Sequence, residues 1–370
     1  MMHLGIDGRE LVAGVRTGIG RYLQEVLLAA TARGWVCTLY GDQCTDVEGL
    51  PPHVRTRVMP QGWTQWWDQV SLPRQLVRDR VSVFLSPYYK GPVIAGCPVV
   101  LTIHDLFFIG YPGRPRPFYD VMMTGLGKLY ASRAARIIAD SDSSKRAVVE
   151  RLAVAPSKVT VIPVAVGREF IPQPLTPRIR ETYRLRDPYV LYVGNFKPHK
   201  NLPRLLQGYA ALPAALRARY QMVLAGGDGE NRPAVERTAR QLNITDRIVL
   251  PGLIDDRDLP ALYSGCSLFV LPSLCEGFGL PALEAMACGA PVAVADRTAI
   301  PEVVGGAGLL FDPEESASIT AALSHALSSE GVRNRLRREG QERAQAFGPA
   351  RTSELVLALL EEVCALRVAA

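Results

Sequence analysis

Short β-like runs alternate with helical patterns along most of this chain, and that alternation restricts its fold more than any other feature. Runs over 3–7, 36–40, 81–86, 98–103, 136–139 and 159–162 have helical segments between several of them. Such an order closes as a parallel sheet wrapped by helices. The helix expected over 18–33 shows the pattern: Ile19, Leu23, Val26, Leu27 and Ala30 recur at three- and four-residue spacing and form one core-facing stripe. Pro172, Pro174, Pro177 and Pro188 then interrupt 169–188, where no strand is expected. Alternation resumes over 189–193, 221–225, 247–250, 267–271 and 291–295, and two helical patterns, 331–346 and 351–368, close the chain. The expected organisation is an α/β unit over 1–168, a linker over 169–188, a second α/β unit over 189–345 and a terminal helix over 346–370. A length of 370 residues suits two domains.

Composition excludes several classes. Hydrophobic residues at 48% and charged residues at 21% rule out a disordered chain. No apolar run reaches the roughly 18 residues of a membrane-spanning helix, and Met1-Met2-His3-Leu4-Gly5 has no secretory pattern. The seven cysteines include no C-x-x-C pair, so neither a disulfide framework nor a zinc site is expected, and a reducing cytoplasm fits. Residues 1–168 hold 20 Lys and Arg against 13 Asp and Glu, while the rest hold 22 against 23. The basic half suggests an anionic partner such as a phosphate-bearing lipid surface; a merely solvated surface is the alternative. No nucleic-acid motif accompanies the charge, so no nucleic-acid partner is expected.

Open α/β sheets bind ligands beyond the carboxyl ends of their strands. The richest such stretch is P-S-L-C-E-G-F-G-L-P-A-L-E-A-M-A-C-G over 272–289. Gly277 and Gly279 let backbone approach a ligand, Pro281 suits a first helical turn, and Gly289 suits a helix end. A helix N-terminus after such a loop can hold an anion or sugar hydroxyls. Glu276 and Glu284 can face one cleft from different depths, or be a surface and an early-helix glutamate.

In the first half, His104 ends a strand, where Asp105 could orient its ring or cap the next segment. Gly18 and Gly20, in Arg16-Thr17-Gly18-Ile19-Gly20, could cradle phosphate or serve only a turn. Asp140-Ser141-Asp142 has metal-binding spacing, but its place before a helix favours Asp142 as an N-cap, and no metal is expected. The aromatic and apolar stripe over 117–136 is expected to pack on the sheet, with contact to a membrane or acceptor lipid as the alternative. Trp63, Trp66, Trp67, Tyr88 and Tyr89 fill a core or line an acceptor groove.

These motifs, in this order, resemble family 4 (group 1) of the retaining glycosyltransferases, whose signature E-x7-E matches Glu276 to Glu284. The likeness extends over nearly the whole chain. It includes Gly5-Ile6-Asp7 with Thr17-Gly18-Ile19-Gly20-Arg21-Tyr22, the segment 192–202 around Gly194, Lys200 and Asn201, Pro251-Gly252, and T-A-I-P-E-V-V-G over 298–305. The resemblance implies the GT-B fold, two Rossmann-like α/β/α domains facing across a cleft. The first would bind an acceptor and the second a nucleotide sugar, and the terminal helix would cross back to the first. It implies that Glu276 contacts the donor sugar, that the N–H groups of Phe278, Gly279 and Leu280 hold sugar and phosphate, and that Glu284 binds the ribose. Lys200 would neutralise the diphosphate, and His104 would lie near the sugar and the reaction centre. Asn195 follows Gly194 where many members carry arginine, so Lys197 or a base from the other domain would supply that charge, or Asn195 would donate a hydrogen bond. No cofactor or metal is implied. GDP-mannose is favoured as donor because Pro198-His199-Lys200-Asn201 and the first loop resemble bacterial mannosyl- and rhamnosyltransferases. The implied acceptor is a glycan or polyprenyl-linked saccharide in polysaccharide biosynthesis. The implied location is cytoplasmic, with peripheral contact to the inner face of an anionic membrane as an extension. An epimerase or phosphorylase on the same scaffold, and a non-catalytic glycan-binding protein, are the rival readings.

Overall fold

The computed structural model describes residues 2–12, 18–46, 50–51, 53–60, 63–107, 109, 117–186, 188–227 and 231–369. The chain divides into two compact units: Met1–Ala165 with Pro349–Ala370, and Val166–Gly348.

The first unit is built on seven strands: β1 (His3–Asp7), β2 (Val36–Gly41), β3 (Val54–Val58), β4 (Val83–Ser86), β5 (Val99–Ile103), β6 (Arg136–Ala139) and β7 (Val159–Val161). They form one parallel sheet in the order β3-β2-β1-β4-β5-β6-β7. Side chains alternate between its faces. Leu4, Ile6, Val83 and Leu85 pack against Leu23, Val26 and Leu27 of helix Gly18–Ala32 and against Val356, Leu357, Leu360 and Val363 of helix Pro349–Ala369. Burying each such side chain contributes about 1.5–3 kcal/mol. The opposite face gathers Tyr40, Trp67, Leu72, Phe84, Leu101, Ile103 and Ile137. β3 was not expected: its sequence VRTRV alternates with arginines and lies mostly exposed, as an edge strand does.

The second unit carries β8 (Tyr189–Gly194), β9 (Gln221–Gly226), β10 (Ile248–Gly252), β11 (Leu268–Leu271), β12 (Val292–Ala295) and β13 (Leu309–Phe311). All pairs are parallel, in the order β10-β9-β8-β11-β12-β13. The stretch 169–188 lies within this unit and contains a helix, Pro177–Thr182, capped by Thr176. Phe170 packs edge-on against Tyr263, and Tyr183 Oη donates to Asp258 at 2.9 Å. These contacts tie the proline-rich stretch to the second core.

The carboxyl ends of β8 and β9 approach closely. Gly226 has φ +94°, and a Cβ added there would lie 2.5 Å from the Gly194 carbonyl oxygen. We expect Gly226→Ala to lower stability by about 3 kcal/mol, from left-handed strain and a backbone clash together. Thermal unfolding checks this, and a melting point equal to that of the unsubstituted protein would contradict it.

Candidate functional site

In the second unit the chain runs from β8 outward to β9 and β10, then returns to place β11 on the other side of β8. Loops leaving β8 and β11 therefore diverge, and that reversal is where open parallel sheets take ligands. Lys200 follows β8 in a short 3₁₀ turn, Pro198–Lys200, and Glu276 follows β11. The two side chains meet: Lys200 Nζ donates to Glu276 Oε1 at 2.6 Å. Both are largely buried, with 11% of each side chain exposed. Ser273 Oγ donates to the same oxygen at 2.6 Å. The Glu276 backbone N–H donates to Thr298 Oγ1 at 3.0 Å, and Thr298 holds a left-handed φ of +53°. A β-branched residue there is strained, and such strain persists only where surrounding contacts enforce it.

Asn201 locks the two loops together. Its Nδ2 donates to the carbonyls of Pro272 (3.1 Å) and Pro313 (2.7 Å), and the Leu274 N–H donates to the His199 carbonyl at 2.8 Å. Burial, and then the adjacent Lys200 charge, push His199 down to about 4, so its ring is neutral at physiological pH. Gly194 ends β8, and Asn195 is exposed, its Oδ1 accepting from the Lys197 N–H at 3.2 Å. The Asn195 carboxamide oxygen is thus engaged in a local turn, and Lys197 is exposed.

Gly277 and Phe278 lead into helix Leu280–Ala287, with Gly279 at its N-cap in a left-handed conformation (φ +100°). Phe278 is buried edge-on against Phe347 at 5.8 Å, which anchors the glycine loop. Glu284 lies deeper, 6% exposed, and accepts a hydrogen bond from Tyr263 Oη at 3.0 Å. Glu276, Lys200, Gly277, Phe278, Gly279 and Leu280 thus gather on one edge of the second sheet, with Glu284 one turn inside the helix. Ser273, Asn201, Tyr263 and Thr298 are supports that the sequence reading did not single out for this role. Ser273 and Thr298 lie inside motifs already conspicuous in the sequence, so they were findable by position.

In the first unit, β5 and β6 are in register with Ile103 opposite Ala139. The next residues, His104 and Asp140, therefore emerge side by side. His104 Nδ1 lies 2.7 Å from Asp140 Oδ2, and among the described residues the buried Nε2 has no hydrogen-bond partner. Of the two roles expected for Asp105, the structure shows the cap on the next segment, its Oδ1 accepting from the Phe107 N–H at 3.1 Å, while the carboxylate at the His104 ring is that of Asp140. The N-cap of helix Asp142–Leu152 is likewise Ser141, whose hydroxyl accepts from the Ser144 N–H, rather than Asp142. A serine preceding the helix reaches that N–H in extended conformation, whereas Asp142 is already helical. Among the described residues, no three His, Cys, Asp or Glu side chains converge as metal ligands.

Gly18 and Gly20 begin helix Gly18–Ala32; Arg16 and Thr17 lie outside the described residues. At the β1–β4 reversal, Arg9 bridges Asp7 (2.6 Å) and Asp68 (2.7 Å) and stacks on Trp67 at 3.7 Å. Trp67 is buried, while Trp63 and Trp66 are exposed. Helix Pro117–Arg133 divides in the same way. Met123 and Tyr130 are buried, but Phe118, Val121, Met122 and Leu129 are exposed, so the stripe packs on the core only in part. Among the described residues, no helix is long and apolar enough to cross a membrane.

Two family models match the chain: Glycosyltransferase Family 4 over residues 16–170, and Glycosyl transferases group 1 over residues 177–343. The serotype-specific mannosyltransferase WbdA of Escherichia coli is 34% identical over 268 residues, which is 70% of this chain and 32% of WbdA. The chain thus spans about a third of the length of WbdA. The O-antigen chain mannosyltransferase B of Escherichia coli is 32% identical over 67% of this chain and 66% of its own length. Among solved structures, sucrose-phosphate synthase from Thermosynechococcus elongatus aligns with a TM-score of 0.79 at 22% identity, over 99% of this chain and 100% of that one. Anabaena HepE in complex with UDP aligns at 0.77 with 19% identity, over 98% and 100%. The fold is GT-B, as the sequence motifs implied.

Proposed function

The chain belongs to the group 1, family 4 glycosyltransferases, and we propose that it transfers a hexose, mannose in our reading, from a nucleotide diphosphate to a hydroxyl of a glycan or lipid-linked acceptor. The observation that carries the reading is the Lys200–Glu276 pair beside the N-terminus of helix Leu280–Ala287, at the strand reversal of the second sheet. A diphosphate there would draw the Lys200 ammonium, which would release Glu276 to accept hydrogen bonds from sugar hydroxyls. The N–H groups at Gly279 and Leu280 would add the partial positive charge of a helix end. As the glycosidic bond breaks, negative charge grows on the leaving diphosphate, and a cation already fixed by Asn201 and the turn lowers the barrier. Glu284 would take the ribose hydroxyls.

In this reading the reaction retains anomeric configuration. The leaving phosphate accepts the acceptor hydroxyl's proton on the same face, and orientation of both substrates supplies much of the rate. Lys200 and backbone N–H groups carry the phosphate charge, so we propose that turnover needs no metal. The donor favoured is GDP-mannose, in line with the two mannosyltransferase relatives, and the acceptor a growing cell-surface polysaccharide made on the cytoplasmic side.

The test incubates the protein with GDP-mannose and with UDP-, dTDP- and ADP-sugars, with and without lipid-linked oligosaccharide. Acceptor-dependent release of the nucleoside diphosphate is expected. An isomerised sugar nucleotide formed without acceptor would instead identify an epimerase, and absence of turnover with every donor would contradict the reading.

We extend the reading to peripheral membrane contact through Phe118, Val121, Met122 and Leu129, exposed on one helix with Lys128 also exposed. Replacing Phe118 and Val121 with serine should lower co-sedimentation with anionic phospholipid vesicles several-fold and leave the melting point unchanged, because neither side chain is packed. Equal sedimentation of both proteins would refute this contact.

A further inference from the structure

We propose that Asp140 is a positioning residue that locks the His104 ring so that Nε2 is the atom turned to substrate. The proposal rests on the transferase reading above. It begins with register: Ile103 opposite Ala139 leaves His104 and Asp140 adjacent at the carboxyl edge of the first sheet, which is the ligand edge of such sheets. A carboxylate can only accept, so the 2.7 Å contact from Asp140 Oδ2 places a proton on His104 Nδ1. The neutral ring then carries its lone pair on Nε2, and the protonated ring carries an N–H there.

Other contacts fix the ring's place. The Tyr22 ring meets it edge-on at 6.0 Å, and the Tyr22 hydroxyl is 3.3 Å from Thr102 Oγ1. Ser144 Oγ donates to the His104 carbonyl at 3.3 Å. Asp140 is 4% exposed, so its carboxylate is not free to rotate into solvent. Against this tight support, Nε2 is buried and makes no hydrogen bond among the described residues. A buried polar atom left unpaired on an otherwise fully held side chain calls for a partner that arrives later.

The charges around the ring agree with that picture. Burial is the largest single influence and disfavours the imidazolium, but Asp140 by charge and hydrogen bond, with Asp105 on the same segment and Glu10 after β1, together outweigh it; the Tyr22 phenol also packs against the ring. The net effect holds His104 above its ordinary value of 6.5. When the ring gains or loses a proton it does so at Nε2, while Nδ1 stays committed to Asp140.

Three variants test this. Asp140→Asn is expected to keep donor affinity, lower kcat at least tenfold with KM within about threefold, shift the His104 limb of the pH–rate profile to lower pH, and lower the melting point at acid pH, where the imidazolium loses its counter-charge. His104→Gln, whose amide reaches the Nε2 position, is expected to keep at least tenfold more kcat than His104→Asn, whose amide mimics Nδ1. A wild-type pH profile in Asp140→Asn, or His104→Asn equal to His104→Gln, would overturn the proposal; the His104 pair still decides if Asp140→Asn fails to fold. Ring 15N spectra of the unsubstituted protein separate this proposal from the transferase reading. The neutral ring should be protonated at Nδ1. Protonation at Nε2 in an active enzyme overturns the lock alone, whereas protonation at Nδ1 with no turnover on any donor overturns the transferase reading alone.

Discussion

Replacing Lys200 with alanine is expected to lower glycosyl transfer by about 10²–10³-fold, the usual cost of removing a fixed group that stabilises transition-state charge. Lys200 is 9% exposed and sits at the end of a 3₁₀ turn that Asn201 ties to the neighbouring loop, so solvent cations cannot replace its ammonium well. The loss should fall on kcat and on donor KM together, because the same charge binds the diphosphate before and during bond breaking. The variant also leaves the Glu276 carboxylate with only Ser273 as hydrogen-bond donor to its side chain among the described residues, at an expected stability loss of about 3 kcal/mol. Steady-state kinetics together with a thermal melt read both effects, and a variant retaining more than half of wild-type kcat/KM would contradict the assignment of Lys200.

The second large effect is expected at Glu276. Glu276→Ala removes the acceptor proposed for the sugar hydroxyls and leaves a buried ammonium unpaired, so both activity and stability should fall, by about 10²-fold and about 3 kcal/mol. Since each single change strands the other charge, the double variant Lys200→Ala/Glu276→Ala should be less destabilised than the two single losses added together. Strict additivity in chemical denaturation would mean that the pair seen at 2.6 Å contributes nothing in solution.

A pH dependence follows from His104. Its folded value lies above 6.5, so the protonated ring contributes stability that is complete below about 6.5 and is lost as pH rises through the raised value. His104→Gln should remove that slope. Melting points recorded from pH 5.5 to 9 for both proteins check it, and parallel curves would contradict it.

The parts of the fold that were legible in the sequence are those fixed locally. The strand–helix alternation needed only apolar spacing, and the 272–289 stretch needed only a glycine loop followed by a helix-starting proline. What escaped was set by tertiary pairing. His104 and Asp140 are 36 residues apart and meet only because β5 and β6 pair in one register. Lys200 and Glu276 were each visible, but their mutual contact depends on β11 lying beside β8, which chain order does not dictate. β3 went unseen because arginines at alternate positions hide a five-residue edge strand. The 117–136 stripe shows the limit of periodicity: Met123 and Tyr130 face the core, yet Phe118 and Val121, equally apolar, do not.

Calorimetric titration of nucleotide sugars into the unsubstituted protein and into Lys200→Ala tests the second-unit edge most directly. One donor, GDP-mannose in our reading, should bind at a single site and weaken at least tenfold in the variant. Absence of binding by every nucleotide sugar, or equal affinity in the two proteins, would contradict the placement of the diphosphate beside Lys200.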